Sequence, residues 1–294
     1  MCFLCPINTK SRAKLKVKRM LPQSLEYKAG QRKFRWEKRR AAEMYPELIT
    51  IGAFSLGSYG VLIALAFIAG IMLASKLSIK EGYGKDDILD LGLVAIFTSV
   101  IGARALYVIV WWEYFAKEPA RIFKVWEGGL VFYGGLIGAV IGTAVWLKIK
   151  KKPVLKTGDI CMPFVALAHA IGRIGCFLNG CCYGRVSEKY GLVFPGVGDN
   201  VPHLPVQIYE SVLNFINFIF LIVFYRFFKK RDGEVFFLYF INYAVIRVIM
   251  EFFRGDAERG MFAGLSTSTF ISIVVIIFGA AGIIFIRLKN GKKV

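Results

Sequence analysis

Acidic residues and histidines are scarce in this chain of 294 residues, which holds 20 Asp and Glu against 39 Lys and Arg and has two histidines. So few histidines argue against a histidine-rich metal centre. Low-complexity stretches and linkers are lacking as well, so residues 44–294 are expected to fold as one domain. Apolar side chains are abundant, at 56% of the chain, and this is more than a soluble domain of this length usually contains.

Long apolar stretches recur along the chain, each close to the roughly 20 residues that an α-helix needs to cross a bilayer. They lie at 53–75, 88–112, 128–147, 158–178, 207–225, 235–253 and 265–286. We therefore predict an all-α polytopic membrane protein with about seven transmembrane helices.

Basic residues are concentrated in every second loop, as in membrane proteins whose short cytoplasmic loops are rich in Lys and Arg. The rich segments are 148–156 with five, 226–233 with four and the tail from Arg287 with four; the poorer ones are 113–127 with three, 179–206 with two and 254–264 with two. This alternation predicts a cytoplasmic C-terminus and an N-terminus outside. It also accounts for much of the net charge of +19 without a nucleic-acid partner.

The first 43 residues conflict with that orientation, because they contain thirteen Lys or Arg and no apolar run long enough for a signal peptide or a span. Three interpretations remain open. The segment is cytoplasmic in a different topology, or it is an arm for nucleic acid or lipid headgroups, or it is an untranslated extension with the true start at Met44. The third removes the conflict, and we favour it.

The cysteines do not form the pattern of a disulfide framework, since four of the six lie in or beside the fourth span: Cys161, Cys176, Cys181 and Cys182. We expect reduced packing residues there. Zinc bound with either histidine, a redox pair and a covalent intermediate on one thiol are the alternatives, but the spacing is not that of a usual zinc site. We therefore expect no metal and no cofactor.

Glycines recur in the third span, where Gly134, Gly138 and Gly142 are four residues apart and allow close helix packing. The adjacent pairs Gly128-Gly129 and Gly134-Gly135 weaken a helix. They predict a bent or broken segment beside a cavity, because irregular backbone at membrane depth needs protein or water around it.

Polar residues inside the spans are the main functional signal, because charge in hydrocarbon is costly. They are Arg104; His169 and Arg173; Gln207, Tyr209 and Glu210; and Tyr243, Arg247 and Glu251, followed by Arg254. A plain intrahelical pair between Arg247 and Glu251, and an Arg254 that reaches the membrane interface, are the simple interpretations. Arg104, Arg173 and Arg247 nevertheless outnumber the nearby acids. Guanidinium groups suit phosphate, and the abundant phosphate in a bilayer is the phospholipid headgroup.

Six motifs follow one another in order from about Met44 to the last span: PELITIGAFSLGSYGVLIALAF, GARALYV, WEGGLVFYGGLIG, GRIGCFLNGCCYGR, PVQIYE and YAVIRVIMEFFR. In these motifs and their order the chain resembles the prolipoprotein diacylglyceryl transferase family. The resemblance implies seven helices around a lipid-accessible cavity in the bacterial cytoplasmic membrane. It also implies transfer of a diacylglyceryl group from phosphatidylglycerol to the lipobox cysteine of prolipoprotein signal peptides.

Site residues follow from the matched positions. The resemblance and the polar pattern together assign phospholipid binding to Arg173, Arg104, Tyr59, Asn179, Gly184, Gln207, Glu210, Tyr243 and Arg254. Catalysis is assigned to Arg173 and Arg247, which hold the headgroup and stabilise the leaving phosphate, with Glu251 orienting Arg247. Tyr133, which stands where the family usually has a histidine, is the fifth catalytic candidate. His169 is the candidate base in place of that histidine.

Two further positions depart from the usual family pattern, with Cys176 in place of the Asn of GNF and Cys181 in place of the Glu of NGE. They suggest a variant branch that carries GCF and GCCYG. Three other functions stay open: a related transferase with another donor or acceptor, a transporter of an anionic lipid, and a thiol-sensing membrane protein. The lack of a visible inverted repeat argues against the transporter.

Overall fold

The computed structural model describes residues 47–51, 54–125, 128–194, 201–254, 261–262 and 265–291. The predicted extension at residues 1–43 lies outside the described residues, so its boundary stays a prediction. Eight α-helices dominate the described chain. They are α1 (Ser58–Lys80), α2 (Asp87–Val110), α3 (Trp112–Lys117), α4 (Phe132–Ile149), α5 (Val154–Leu178), α6 (Val206–Phe227), α7 (Glu234–Glu251) and α8 (Thr267–Gly291).

Three short antiparallel hairpins accompany the helices. They pair β1 (Glu47–Ile51) with β2 (Phe54–Gly57), β3 (Leu192–Val193) with β4 (Pro202–His203), and β5 (Met261–Phe262) with β6 (Leu265–Ser266). Each hairpin directly precedes a helix, namely α1, α6 or α8. We call the end of the bundle where these three helices begin the hairpin end, and the opposite end, where Lys152, Lys156 and Lys229 lie, the lysine-rich end.

Every predicted span coincides with one long helix, which confirms the polytopic all-α fold. Six of these helices are long and apolar enough to cross a bilayer: α1, α2, α4, α5, α6 and α8. The seventh, α7, is 18 residues long but carries Glu234, Arg247 and Glu251. The count of seven spans and the orientation therefore stay predictions.

Large apolar side chains cover the outside of the bundle. Phe97, Ile137 and Ile277, for example, are each more than half exposed. A soluble monomer rarely exposes so much contiguous apolar surface, whereas lipid tails solvate it well. The outer surface thus fits a membrane protein.

Helix α5 lies at the centre of the bundle, packed on α1, α6 and α7. Half of its apolar span is buried, against 17% for the span of α1. Gly175 allows this packing, because an added Cβ there would lie 3.2 Å from the ring of Tyr59 on α1. The polar residues of α5 consequently face protein rather than lipid.

Helices α2 and α4 pack closely against each other through glycines, as the glycine spacing predicted. A Cβ at Gly102 would overlap the carbonyl oxygen of Gly134 and lie 2.9 Å from the Cα of Gly138. The predicted bend at Gly134-Gly135 is wrong, because α4 is continuous there and the pair packs against α2. Irregular backbone occurs earlier, at Gly128 and Gly129, whose φ angles of 86° and 78° favour glycine.

Asp159, near the start of the central helix α5, connects several elements at the lysine-rich end. Its buried carboxylate accepts the backbone N–H groups of Gly233 at 2.7 Å and Phe236 at 2.8 Å, where α7 begins. The ammonium of Lys229 lies 3.1 Å from the same carboxylate and 3.1 Å from Asp232. Asp159 therefore satisfies helix-end donors that would otherwise be unpaired.

We predict that Asp159→Asn lowers the stability of the bundle, because it leaves the mostly buried Lys229 ammonium without its buried partner. The expected loss is about 3 kcal/mol, measured as a lower Tm of the purified protein in detergent. Asp232→Asn is the matched control, since Asp232 contacts the same lysine but is 53% exposed. An equal loss in both variants would contradict the assignment.

Candidate active site

Two arginines share one buried carboxylate between three helices. The guanidinium of Arg173 on α5 donates from Nη2 to Oε1 of Glu210 on α6, at 2.7 Å. Nη1 of Arg247 on α7 lies 3.9 Å from the other oxygen, Oε2. All three side chains are buried. Glu210 thus bridges the two arginines that the sequence analysis placed at the centre of catalysis.

The guanidinium of Arg247 does not use all of its N–H donors among the described residues. Its Nη2 donates to Oγ of Ser268 at 2.7 Å, and Glu251 lies 3.8 Å away, too far for a short ion pair. Within the described part of the chain, Nη1 is buried and makes no hydrogen bond. That Glu251 orients Arg247 stays a prediction, and Ser268 is the group nearest to this guanidinium.

His169 lies one turn before Arg173 on α5 and is embedded in aromatic side chains. Its ring stacks on Tyr243 with centroids 5.0 Å apart and an interplanar angle of 15°. Its Nδ1 is 3.4 Å from the hydroxyl of Tyr239. Tyr239 and Tyr243 stack in turn, at 6.0 Å. These contacts fix the orientation of the imidazole.

The connection between α5 and α6 closes the hairpin end of the site. Gln207 is fully buried and donates to the carbonyl oxygen of Cys181 at 2.7 Å. Asn179 is the C-terminal cap of α5. Gly184 lies so close to Val206 and to the carbonyl oxygen of Phe253 that any side chain there would clash. This part of the site is shaped by backbone packing.

Two other predicted lipid contacts, Tyr59 and Arg254, and the motif residue Tyr209 lie around the same helices. Tyr59 lies in the first turn of α1 and packs against Gly175 of α5. Tyr209 makes an edge-to-face contact with Phe253, at 6.2 Å. Arg254 follows the end of α7, where its backbone N–H donates to the carbonyl oxygen of Glu251. All three thus lie on or beside the helices that carry the central arginines.

Arg104 lies in a different environment, against the segment that links α2 to α4. All five of its N–H groups are used by carbonyl oxygens. Nε donates to Ile122, Nη1 to Gly128 and Gly129, and Nη2 to Arg121 and Lys124, at 2.5–3.2 Å. This geometry favours a structural role over the predicted lipid contact, because no donor is left for a phosphate.

Tyr133 lies on a helix that does not carry the two-arginine cluster. It is in the first turn of α4, 40% exposed and next to the ring of Phe132. Helix α4 packs on α2, whereas the cluster is formed by α5, α6 and α7. The structure therefore does not group Tyr133 with the other predicted catalytic residues.

The cysteines gather just beyond Arg173. The sulfur atoms of Cys176, Cys181 and Cys182 all lie within 4.8 Å of one another. Cys161 and Cys176 are free thiols, and Cys181 also carries no disulfide. The sulfur of Cys182 lies 3.8 Å from that of Cys181, and the expectation of four reduced packing cysteines stays a prediction.

Comparison with known proteins decides the family. The model of the prolipoprotein diacylglyceryl transferase family matches residues 46–285. The chain belongs to this family. It is 41% identical over 240 residues to the phosphatidylglycerol--prolipoprotein diacylglyceryl transferase of Clostridium tetani, covering 80% of this chain and 95% of that protein. A second such enzyme of Clostridium perfringens is 35% identical, with coverages of 80% and 93%.

A third relative provides a similar match. The enzyme of the same name from Pasteurella multocida is 33% identical over 258 residues, covering 84% of this chain and 94% of that protein. These matches confirm the resemblance drawn from the motifs. They also extend it over nearly the whole length of the relatives.

Two residues of the site were missed by the sequence analysis. Tyr239 lies four residues before Tyr243, so the stripe of polar residues on α7 extends one turn further than expected and could have revealed it. Ser268 had no such signal, because a serine in the first turn of a helix is common. Its contact with Arg247 depends on how α8 packs against α7.

We predict that Arg104→Lys loosens the segment from residue 111 to 125, because lysine replaces at most three of the five donors. Hydrogen exchange in this segment should rise at least tenfold, while exchange around Glu210 stays unchanged. Arg173→Lys is the matched control and should leave exchange in the segment as it is. Loss of lipid transfer in Arg104→Lys without faster exchange would instead support the original lipid-binding assignment.

Proposed function

We propose that this chain transfers a diacylglyceryl group from phosphatidylglycerol to the lipobox cysteine of exported prolipoproteins, in the bacterial cytoplasmic membrane. Membership of the family supports the reaction, and the apolar bundle supports the multi-pass location. The single observation that carries the assignment of the site is the shared carboxylate. Two buried guanidinium groups, Arg173 and Arg247, have one buried carboxylate between them, Glu210.

An anionic ligand suits this arrangement. One positive charge of the pair is offset by Glu210, and Glu251 is 3.8 Å from Arg247 with a partly exposed side chain. The buried Nη1 of Arg247 can donate a hydrogen bond to a ligand, since it makes none to the described residues. A phosphodiester supplies negative charge and several acceptor oxygens at once, and arginine binds such groups through two parallel donors.

The reaction then proceeds by displacement at carbon. The sulfur of the lipobox cysteine attacks the glycerol carbon that bears the phosphate ester. The C–S bond forms as the C–O bond breaks, and the electron pair of that bond leaves with glycerol phosphate. Arg173 and Arg247 stabilise the negative charge that develops on the departing phosphate.

His169 is our candidate for taking the thiol proton. An ordinary thiol is only slightly ionised at neutral pH, so a base increases the fraction of thiolate. When Nδ1 donates its hydrogen to the hydroxyl oxygen of Tyr239, Nε2 keeps a lone pair that can accept the proton. The stacking on Tyr243 holds the ring in place for this transfer.

We predict that Arg173→Ala lowers transfer at least about 100-fold, because the leaving phosphate loses its main charge partner. The measurement is mass spectrometry of a lipobox peptide incubated with the purified protein and phosphatidylglycerol, which detects a diacylglyceryl gain on the cysteine. Arg226→Ala, at the far end of α6, is the control and should keep full transfer. A folded Arg173→Ala protein with normal activity would refute the site.

A second pair of variants tests whether His169 or Tyr133 accepts the thiol proton. His169→Gln should lower kcat about 100-fold and remove the acidic limb of the pH–rate profile, since the base is gone. Tyr133→Phe should change the rate less than threefold, because Tyr133 lies outside the arginine cluster. The reverse result would place the proton-handling group at Tyr133, where the family usually has histidine.

A further inference from the structure

Two asparagines on α6 follow Glu210 toward the lysine-rich end. The proposed mechanism does not use them. Asn214 is fully buried and Asn217 is 4% exposed. They follow Glu210 by four and seven residues, so all three share one face of the helix. Each amide has one hydrogen-bonding atom without a partner among the described residues: Oδ1 of Asn214 and Nδ2 of Asn217.

The other polar atom of each amide makes a hydrogen bond, and this bond fixes the orientation of the side chain. Nδ2 of Asn214 donates to the backbone carbonyl oxygen of Glu210 at 2.8 Å. Oδ1 of Asn217 accepts a hydrogen bond from Nδ2 of Asn242 on α7, also at 2.8 Å. The unused atoms are therefore one acceptor and one donor, on residues that are three apart, or about one helical turn.

An unused acceptor and an unused donor on neighbouring turns of one helix face match the chemistry of a hydroxyl group, which both donates and accepts. A phosphate ester oxygen can only accept, and an ammonium group can only donate. An ammonium group would also be repelled by Arg173 and Arg247. Buried polar atoms are rarely left unpaired in proteins, so this pair points to a neutral hydroxylated ligand.

Apolar side chains close the site on the side of the lysine-rich end. Leu221, one turn beyond Asn217, packs with Ala166 and Val235, and none of the three is exposed. The polar region thus extends from Glu210 to Asn217 and stops there. A polar region of this length suits a short headgroup such as glycerol better than a sugar headgroup.

We propose that Asn214 and Asn217 form a subsite for a hydroxyl group of the donor lipid's headgroup, adjacent to the phosphate held by Arg173 and Arg247. This inference rests on the proposed function. It makes the two asparagines specificity-determining residues that favour a glycerol headgroup over one without hydroxyls. Water is the other source of a hydroxyl group, and the experiment distinguishes the two.

The test compares two donors with identical acyl chains, phosphatidylglycerol and phosphatidylpropanol, whose three-carbon headgroup lacks both hydroxyls. The full-length protein in detergent micelles acts on a lipobox peptide, and mass spectrometry gives kcat/KM for each donor. We expect the unaltered protein to prefer phosphatidylglycerol at least about tenfold. Asn214→Leu and Asn217→Leu should each lower this preference ratio to about threefold or less.

Thr157→Val is the matched control, since it also removes a buried polar group, here a hydroxyl at the lysine-rich end. It should keep the preference ratio of the unaltered protein. Asn214→Ala replaces Asn214→Leu if the latter does not fold, as judged by its Tm. An unaltered protein without donor preference, or asparagine variants that keep the full ratio, would overturn the subsite and leave bound water as the partner.

Failure of the proposed function gives a different result, namely no transfer from either donor by the folded protein. Retention of each lipid by the protein, measured by native mass spectrometry, then decides the subsite alone. Selective retention of phosphatidylglycerol that is lost in Asn214→Leu supports it. Equal retention of both lipids refutes it.

Discussion

The burial of Arg173, Glu210 and Arg247 between three helices is the interaction on which the site depends. Moving an ion from water into a protein interior costs several kcal/mol, and a partner offsets this only at short range with good hydrogen bonds. Arg173 meets that condition with Glu210 at 2.7 Å, whereas Arg247 at 3.9 Å does not. The pair therefore combines one satisfied guanidinium with one that still has a donor to offer.

The rest of the bundle holds these three helices in place. Helix α5 is central because glycine at position 175 admits α1 on one side, while α6 and α7 pack on the others. At the lysine-rich end, the carboxylate of Asp159 binds the first turn of α7 and Lys229. These contacts connect α5 to the start of α7, and the relative position of the two helices sets the distances at the arginine cluster.

Arginines with similar sequence surroundings have different roles in this structure. Arg104 and Arg173 both lie within apolar helices beside small residues. Arg104 uses all of its donors on the carbonyl oxygens of a loop, and Arg173 pairs with a carboxylate on another helix. A buried guanidinium can be satisfied in either way, so its presence in a span signals function only when the partner is known.

The helices, their approximate bounds and the family could be predicted from the sequence, because apolar length and motif order are local properties of the chain. The polar stripe on α7 was also visible, since residues four apart share a helix face. Glu210 as the shared carboxylate, Ser268 as a partner of Arg247 and the loop contacts of Arg104 were decided only by tertiary structure. Each depends on how one helix is rotated and shifted against another or against a loop, and no spacing within a single helix encodes that.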